Sequence, residues 1–286
     1  MDHAVTIEGL SHSYMVGTPL SRNALRDVAL DIDAGEFVAV VGSTGSGKST
    51  LLQHMNGIYR PQTGRVVVLG HDLSDPASNL TALRRDAGLV LQNPGRQLFE
   101  RFAGDDVAFG PRMAGLTGPE LTKEVRWAME KVGLDFARYR DRPTMSLSGG
   151  ERRKVGLAGV IALRPRILLL DEPAAGLDPA AHAELLGTLG DLHREGVTIV
   201  MATHNMDDVA ALCERVVVLS AGHVVSDGPV RKFFADAGSV RALGLELPSA
   251  TALAHVLADH GIPIRTDVLT IREAADGLRE CIGAGR

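Results

Sequence analysis

The amino-acid sequence predicts an α/β protein built on a largely parallel sheet covered by helices, with a small separate unit at the C-terminal end. Three observations carry this expectation. The apolar runs "FVAVV" (37–41), "ILLL" (167–170) and "TIVMA" (198–202) are continuous rather than alternating, which is the pattern of strands buried on both faces. Helical patterns separate the later runs, as crossover connections between parallel strands require. Beyond about residue 231 the chain changes character and holds two further helical segments.

Taken in order, residues 4–40 read as short strands with turns, "AVTIEGLSHSY", "NALRDVALDIDAGE" and "FVAVVG". The alternation in "VALDID" is that of a half-buried strand. "RVVVLG" (65–70) is a further strand. Residues 117–133 predict a helix with Pro119 in its first turn, Leu121, Val125 and Val132 near helical spacing, and Gly133 as its stop. A helix over 147–164 precedes the strand "RILLLDE" (166–172), a helix over 179–195 and the strand "VTIVMATH" (197–204). A short helix and a hairpin, "RVVVLSAGHVV" (215–225), follow. In the C-terminal unit one helix starts after Pro248 with Ser249 as its N-cap. The other has Thr270 and Glu273 at capping-box spacing and Ala274, Leu278 and Ile282 on one face.

Gross properties narrow the function. A chain of 286 residues suffices for one large domain and a small one. Hydrophobic residues make up 45% and charged residues 23%, so wholesale disorder is not expected. The formal net charge of −5 argues against a nucleic-acid partner held by bulk positive charge. Cys213 and Cys281 form no CxxC motif, which fits a reducing compartment without a disulfide framework. The first residues show no signal-peptide pattern, and no apolar run approaches the roughly 18 residues that span a bilayer. Work at a membrane would go through another chain.

"GSTGSGKST" (42–50) follows a buried-type strand and fits G-x-x-x-x-G-K-[ST] at Gly42, Gly47, Lys48 and Ser49. The backbone N–H groups of Gly42, Ser43, Thr44, Gly45, Ser46 and Gly47 are expected to close around phosphate oxygens. Lys48 would reach the β- and γ-phosphates, Ser49 would hold Mg²⁺, and Thr50 would extend the phosphate contacts. The bland alternative is a glycine-rich turn. "ILLLDEP" puts Asp171 and Glu172 at the end of a buried strand, the edge where open α/β sheets bind ligands. Asp171 would hold Mg²⁺ through water, and Glu172 would polarise the attacking water as general base. An acidic pair that caps a helix is the alternative. His204 ends the next strand. It is expected to contact the γ-phosphate and keep base and water in line, the alternative being a structural histidine.

"SLSGGERRKVGLAGVIALRP" (146–165) has Ser148 and Glu151 at capping-box spacing around Gly149 and Gly150, a helix N-terminus suited to an anion. With the phosphate loop, this stretch resembles the ATP-binding cassette family over residues 1 to about 230. The resemblance implies a phosphate-loop NTPase fold of the cassette type, with a RecA-like core, an antiparallel β subdomain and a helical subdomain inserted at about 93–160. It implies an ATPase using ATP and Mg²⁺ that dimerises head to tail. Ser148, Gly149 and Gly150 would then contact ATP held by the other subunit, and Asp178 in "AGLD" would cross the interface. Tyr14 sits where the family stacks an aromatic on adenine; a core tyrosine is the other reading. Glu151 stands where the family often has Gln and is expected to cap backbone and face away from phosphate. Ala174 follows "DEP" where Thr or Ser is common, without stopping hydrolysis. The basic runs "ERRK" (151–154) and "LRR" (83–85) read as solvated helix faces.

"LVLQNPGRQLFERF" (89–102) resembles the Q-loop of the energy-coupling factor transporter ATPases, and "LLQHMNG", "DVAFGPRMAGL" and the tail from "LGLELPSATALAHVL" resemble the same group. That resemblance implies a nucleotide-binding domain over 1–230 and a small C-terminal dimerisation domain over 231–286. Gln92 would touch Mg²⁺ and the attacking water, and the Asn93-Pro94-Gly95 turn would let it swing with nucleotide state. The implied partners are a second ATPase subunit, homo- or heteromeric with the heterodimer favoured, a membrane T-component and a substrate-binding S-component. The place of work would be the cytoplasmic face of the membrane, and the cargo a vitamin or transition-metal ion read by another chain. Leu98, Phe99, Phe102 and Phe109 would line a groove for a partner helix or fill the helical subdomain's own core. The rivals are the ATPase of another transporter type, whose Q-loop would lack the second Gln-Leu-Phe element, and a soluble cassette ATPase, which usually carries two cassettes or a coiled-coil insertion.

Overall fold

A computed structural model describes residues 3–92 and 97–284; the Asn93-Pro94-Gly95 turn and its proposed swing lie outside them. The first half contains β1 (His3–Tyr14), β2 (Arg22–Asp33), β3 (Phe37–Val41), α1 (Lys48–Met55), β4 (Thr63–Val68), β5 (His71–Asp72), α2 (Leu80–Asp86) and β6 (Ala87–Val90). Next come α3 (Ala103–Met113), α4 (Gly118–Lys131), α5 (Phe136–Tyr139), α6 (Gly149–Ile161), β7 (Ile167–Asp171), α7 (Pro179–Arg194), β8 (Thr198–Ala202) and α8 (Met206–Leu212). The chain closes with β9 (Arg215–Ser220), β10 (His223–Pro229), α9 (Val230–Ala235), α10 (Ala237–Ala242), α11 (Ser249–Asp259) and α12 (Ile271–Ala284).

The strands form two sheets. One is antiparallel, in the order β2-β1-β4-β5; the other has the order β10-β9-β3-β8-β7-β6 and is parallel except for β10. The continuous apolar runs serve both faces of the second sheet. Phe37, Ala39, Val41, Leu168, Leu170, Ile199 and Met201 join the core under the helical layer. Val38, Val40, Ile167, Leu169, Val200 and Ala202 join the core shared with α1 and the antiparallel sheet. Each strand thus sends alternate residues into different cores, which is why no polar face interrupts it.

Several boundaries differ from the sequence reading for local reasons. The strand expected over 65–70 stops at Val68, because Leu69 and Gly70 take left-handed φ values of 49° and 83° and turn the chain into β5. The helix expected over 147–164 starts at Gly149, since Ser148 is its extended N-cap. Ser249 does not cap α11: Pro248 holds the cap position, and both the hydroxyl and the N–H of Ser249 donate to Asp207 on α8, each at 2.7 Å. Thr270 caps α12 by accepting from the Glu273 N–H at 3.2 Å, but the Glu273 carboxylate reaches the Leu269 N–H instead of completing the box. Ala274 and Leu278 lie in the C-terminal apolar cluster; the side chain of Ile282 is outside what is described.

That cluster holds Ala250, Ala254, Ile264, Val268 and Ala274. Val230, Phe234 and Val240 belong instead to the core under the large sheet, with Leu243, Leu245 and Leu247 against it. The apolar boundary therefore falls near Pro248, later than the expected 231, because α9 and α10 cover the sheet. Phe234 is fully buried there. Phe234→Ala should cost about 3–5 kcal/mol, read as a lowered urea midpoint at unchanged slope.

Glu151 completes a capping box on α6: its N–H donates to Ser148 Oγ at 3.1 Å and its Oε2 accepts from the Ser148 N–H at 2.7 Å. The other oxygen accepts from the Tyr139 hydroxyl at 2.9 Å and from Arg142 at 3.0 Å. These donors, the Ser148 N–H foremost, hold its carboxyl at about 2 against the usual 4.5. A carboxylate depressed by folding stabilises above its unfolded value and loses that contribution as pH falls through its folded value. Glu151→Gln should therefore be less stable than the parent at pH 7. The gap should narrow below about pH 4.5 and close near pH 2, as read by denaturation across pH. A gap independent of pH would sink this account.

Candidate functional site

Four parallel strands end side by side. The pairs Val40↔Ala202, Asp171↔Ala202 and Val90↔Leu170 bring the carboxyl ends of β3, β8, β7 and β6 level. The segments leaving these strands are the glycine-rich loop, Thr203-His204, Asp171-Glu172 and Leu91-Gln92. They lie along one edge, where such sheets bind ligands. Tyr14, Thr44, Gly45, Gly47, Lys48, Ser49, Thr50, Gln92, Asp171 and Glu172 line a single cleft there, together with Arg22 and Ala24.

Gly47 takes φ 114° at the N-cap of α1, and a Cβ on it would lie 2.5 Å from the Ala24 carbonyl oxygen. Among the described residues no side chain caps this helix, which leaves its first N–H groups open to an anion. The Lys48 ammonium donates to the Gly42 and Ser43 carbonyls at 2.7 and 3.1 Å. Burial draws it below its usual range, while Glu172 and Asp171 draw it back up. Gly42, Ser43 and Ser46 do not line the cleft. Gly42 and Ser43 hold the lysine, and the buried Ser46 hydroxyl has no partner among the described residues.

Asp171 is buried, which raises its carboxyl; the Ser49 hydroxyl opposes the shift, the Glu172 charge adds to it, and Lys48 opposes it. Glu172 adopts a left-handed φ of 50°, uncommon for a residue with a side chain. Its N–H donates to the Ala202 carbonyl at 2.9 Å, and its Oε2 lies 2.8 Å from His204 Nδ1. The His204 side chain is 74% exposed and does not line the cleft itself; it meets the cleft through its contact with Glu172. Tyr14 lines the cleft, with its hydroxyl 3.0 Å from Thr50 Oγ1 and its ring edge-on to His12. It thus meets the cleft and the interior at once.

Ser148, Gly149, Gly150 and Asp178 stand apart from this cleft. The N-terminus of α6 is open, and Asp178 caps α7 by accepting from the Ala180 and Ala181 N–H groups at 3.0 Å. The second glutamine of the Q-loop stretch plays a structural part. Gln97 accepts from the Leu91 N–H at 3.2 Å and donates to the Gly156 carbonyl at 3.3 Å, tying the exit of β6 to α6. Phe99 is 64% exposed and stacks edge-on with Phe109 at 4.7 Å, while Leu98 packs on the core. The basic runs are less solvated than their sequence implied. Arg84 donates to the Gly57 carbonyl at 2.7 Å, and Arg153 turns inward onto carbonyls at the edge of the cleft. No motif marks Arg22, which donates to the Gly45 carbonyl at 3.2 Å. Among the described residues no helix is long and apolar enough to cross a membrane.

A family model described as ABC transporter matches residues 25–175. The chain is 48% identical over 282 residues to the energy-coupling factor transporter ATP-binding protein EcfA2 of Symbiobacterium thermophilum, covering 99% of this chain and 97% of that protein. Among solved structures it is similar to cbiO1 from Clostridium perfringens, described as part of the ABC transporter complex cbiONQ. There the TM-score is 0.74 at 34% identity, over 90% of this chain and all of that one. It is also similar to a dimeric ATP-binding cassette in a post-hydrolysis state bound to ADP and Pi, with a TM-score of 0.73 at 28% identity, over 79% of this chain and 98% of that one. By these matches the chain belongs to the ATP-binding cassette family of ATPases, among the energy-coupling factor transporter ATP-binding proteins.

Proposed function

We propose that this ATPase drives uptake of a vitamin or a transition-metal ion through a membrane T-component and a substrate-binding S-component, working as a peripheral subunit on the cytoplasmic face. One observation carries the reading. Lys48, Ser49, Thr50, Gln92, Asp171 and Glu172 line one cleft at the sheet edge, while Ser148, Gly149, Gly150 and Asp178 of the same chain stand away from it, largely exposed. One chain therefore holds two halves of different sites. A head-to-tail dimer would pair Ser148, Gly149, Gly150 and Asp178 with nucleotide on the other subunit. The relative's name, EcfA2, favours a heterodimer with a numbered paralogue.

The residues of the cleft divide the work. Lys48 and the free N–H groups of α1 would take the β- and γ-phosphates, with Thr50 beside them. Tyr14 would stack on the base. Ser49, Asp171 and Gln92 offer oxygen donors, and the Ser49 hydroxyl already lies against the buried carboxylate; such a set fits Mg²⁺, which keeps waters and phosphate oxygens for its remaining ligands. Mg²⁺ there would supply charge neutralisation at the transferring phosphoryl group. Glu172 would accept the proton of the attacking water, and the His204 contact would hold that carboxylate in line. Gln92 would report the state of the site to the helical layer and the T-component.

Glu172→Gln should bind ATP with unchanged affinity and hydrolyse it about 10²–10⁴-fold more slowly, measured by phosphate release beside nucleotide binding. Near-normal turnover would remove Glu172 as the base. Gly47→Ala should fold yet lose nucleotide binding by more than about tenfold, because its Cβ has no room at that left-handed turn. Co-purification with an integral membrane protein from detergent extracts tests the transport role, and recovery with ribosomes alone would overturn it.

A further inference from the structure

Arg153 lies in the second turn of α6, five positions after Ser148. Its guanidinium donates to three main-chain carbonyls: Pro173 at 2.6 Å, Gln92 at 3.0 Å and Glu172 at 3.3 Å. Of the cations around it, Lys154 pairs with Glu184 and Arg142 with Glu151, while Arg152 donates to the single Leu147 carbonyl at 3.0 Å at its own helix end. Arg153 makes no ion pair among the described residues, although burial works against its charge. A half-buried cation held by carbonyls alone is a costly way to stabilise a fold. Its placement points to another use. Two of the three carbonyls belong to the turn in which Glu172 takes its left-handed φ of 50°, and backbone in that region persists only when its surroundings over-determine it. The third belongs to Gln92.

We propose that Arg153 is a positioning residue, a clamp that makes the placement of Glu172 and Gln92 depend on where α6 sits. The guanidinium fork is planar and its donors are fixed relative to one another, so it transmits a displacement of the helix to both segments together. The same helix carries Gly149 and Gly150 at its open N-terminus. Seating the partner's nucleotide on that end would be felt by this chain's own Glu172 within about two helical turns. Hydrolysis in one site would then be licensed by occupation of the other. This inference rests on the reading of Glu172 as base.

The test is steady-state ATP hydrolysis by the full chain purified as its assembled ATPase dimer, with nucleotide affinity measured separately by a fluorescent ADP analogue. Arg153→Ala should lower kcat about 10- to 100-fold, the cost of a misplaced catalytic group, while KM and ADP affinity stay within about threefold. Arg153→Lys keeps the charge but not the fork, and should stay at least about fivefold slow with normal affinity. A kcat within about twofold of the parent for Arg153→Ala overturns the proposal, as does a parallel loss of affinity and kcat. If Arg153→Ala does not melt cooperatively, folded Arg153→Lys decides, and parental kcat from it overturns the clamp. Glu172→Gln is assayed alongside. An inert Glu172→Gln with a normal Arg153→Ala sinks this inference alone, whereas normal turnover by Glu172→Gln removes the base reading and the clamp with it.

Discussion

The level ends of four parallel strands are the constraint on which the rest depends. Ladder hydrogen bonds between β3, β8, β7 and β6 fix which residues face each other, and the two cores fix which side chains point up and which down. A slip of one residue would send each apolar set into the wrong core, so the register admits little error. That rigidity lets Lys48, Glu172, His204 and Gln92, far apart in the chain, meet at one edge without a dedicated framework for each.

The electrostatics of this edge are unbalanced in a useful way. A desolvated ammonium sits beside a buried carboxylate and a second one held by a histidine. Among the described residues the direct partners of Lys48 are two carbonyls, which accept its hydrogens without answering its charge. A polyanion with a bound cation would answer both signs at once. In a low-dielectric cleft the same charges act more strongly than they would in water.

The helical layer shares an apolar core with the sheet, and directional polar contacts also tie it to this edge. Gln97 bridges the exit of β6 to α6, Arg153 grips the turns around Glu172 and Gln92, and Glu151 stiffens the N-terminus of the same helix. Directional bonds of this kind hold one geometry and lose it when the helix moves, whereas an apolar interface tolerates sliding. Phe99 and Phe109 remain on the outer surface, stacked on each other.

Much of this was legible in the sequence. Continuous apolar runs gave away a sheet buried on both faces, because the hydrophobic effect acts on every residue of such a strand. The tight turn at Gly47 before α1 was legible because a left-handed backbone beside another strand admits only glycine, and the Ser148–Glu151 box because helix caps are local. What stayed hidden was set by distance. Ser249 looked like a cap and instead donates to Asp207, 42 positions away in the chain. The apolar boundary near Pro248 depends on α9 and α10 covering a sheet that no local window contains. Arg153 read as a solvated cation because nothing in "ERRK" says which carbonyls it will meet; only the packing of α6 over the ends of β6 and β7 turned its guanidinium inward. Local chemistry is written in the order of residues, but partners brought together across the fold are chosen by packing, and packing is a property of the whole chain.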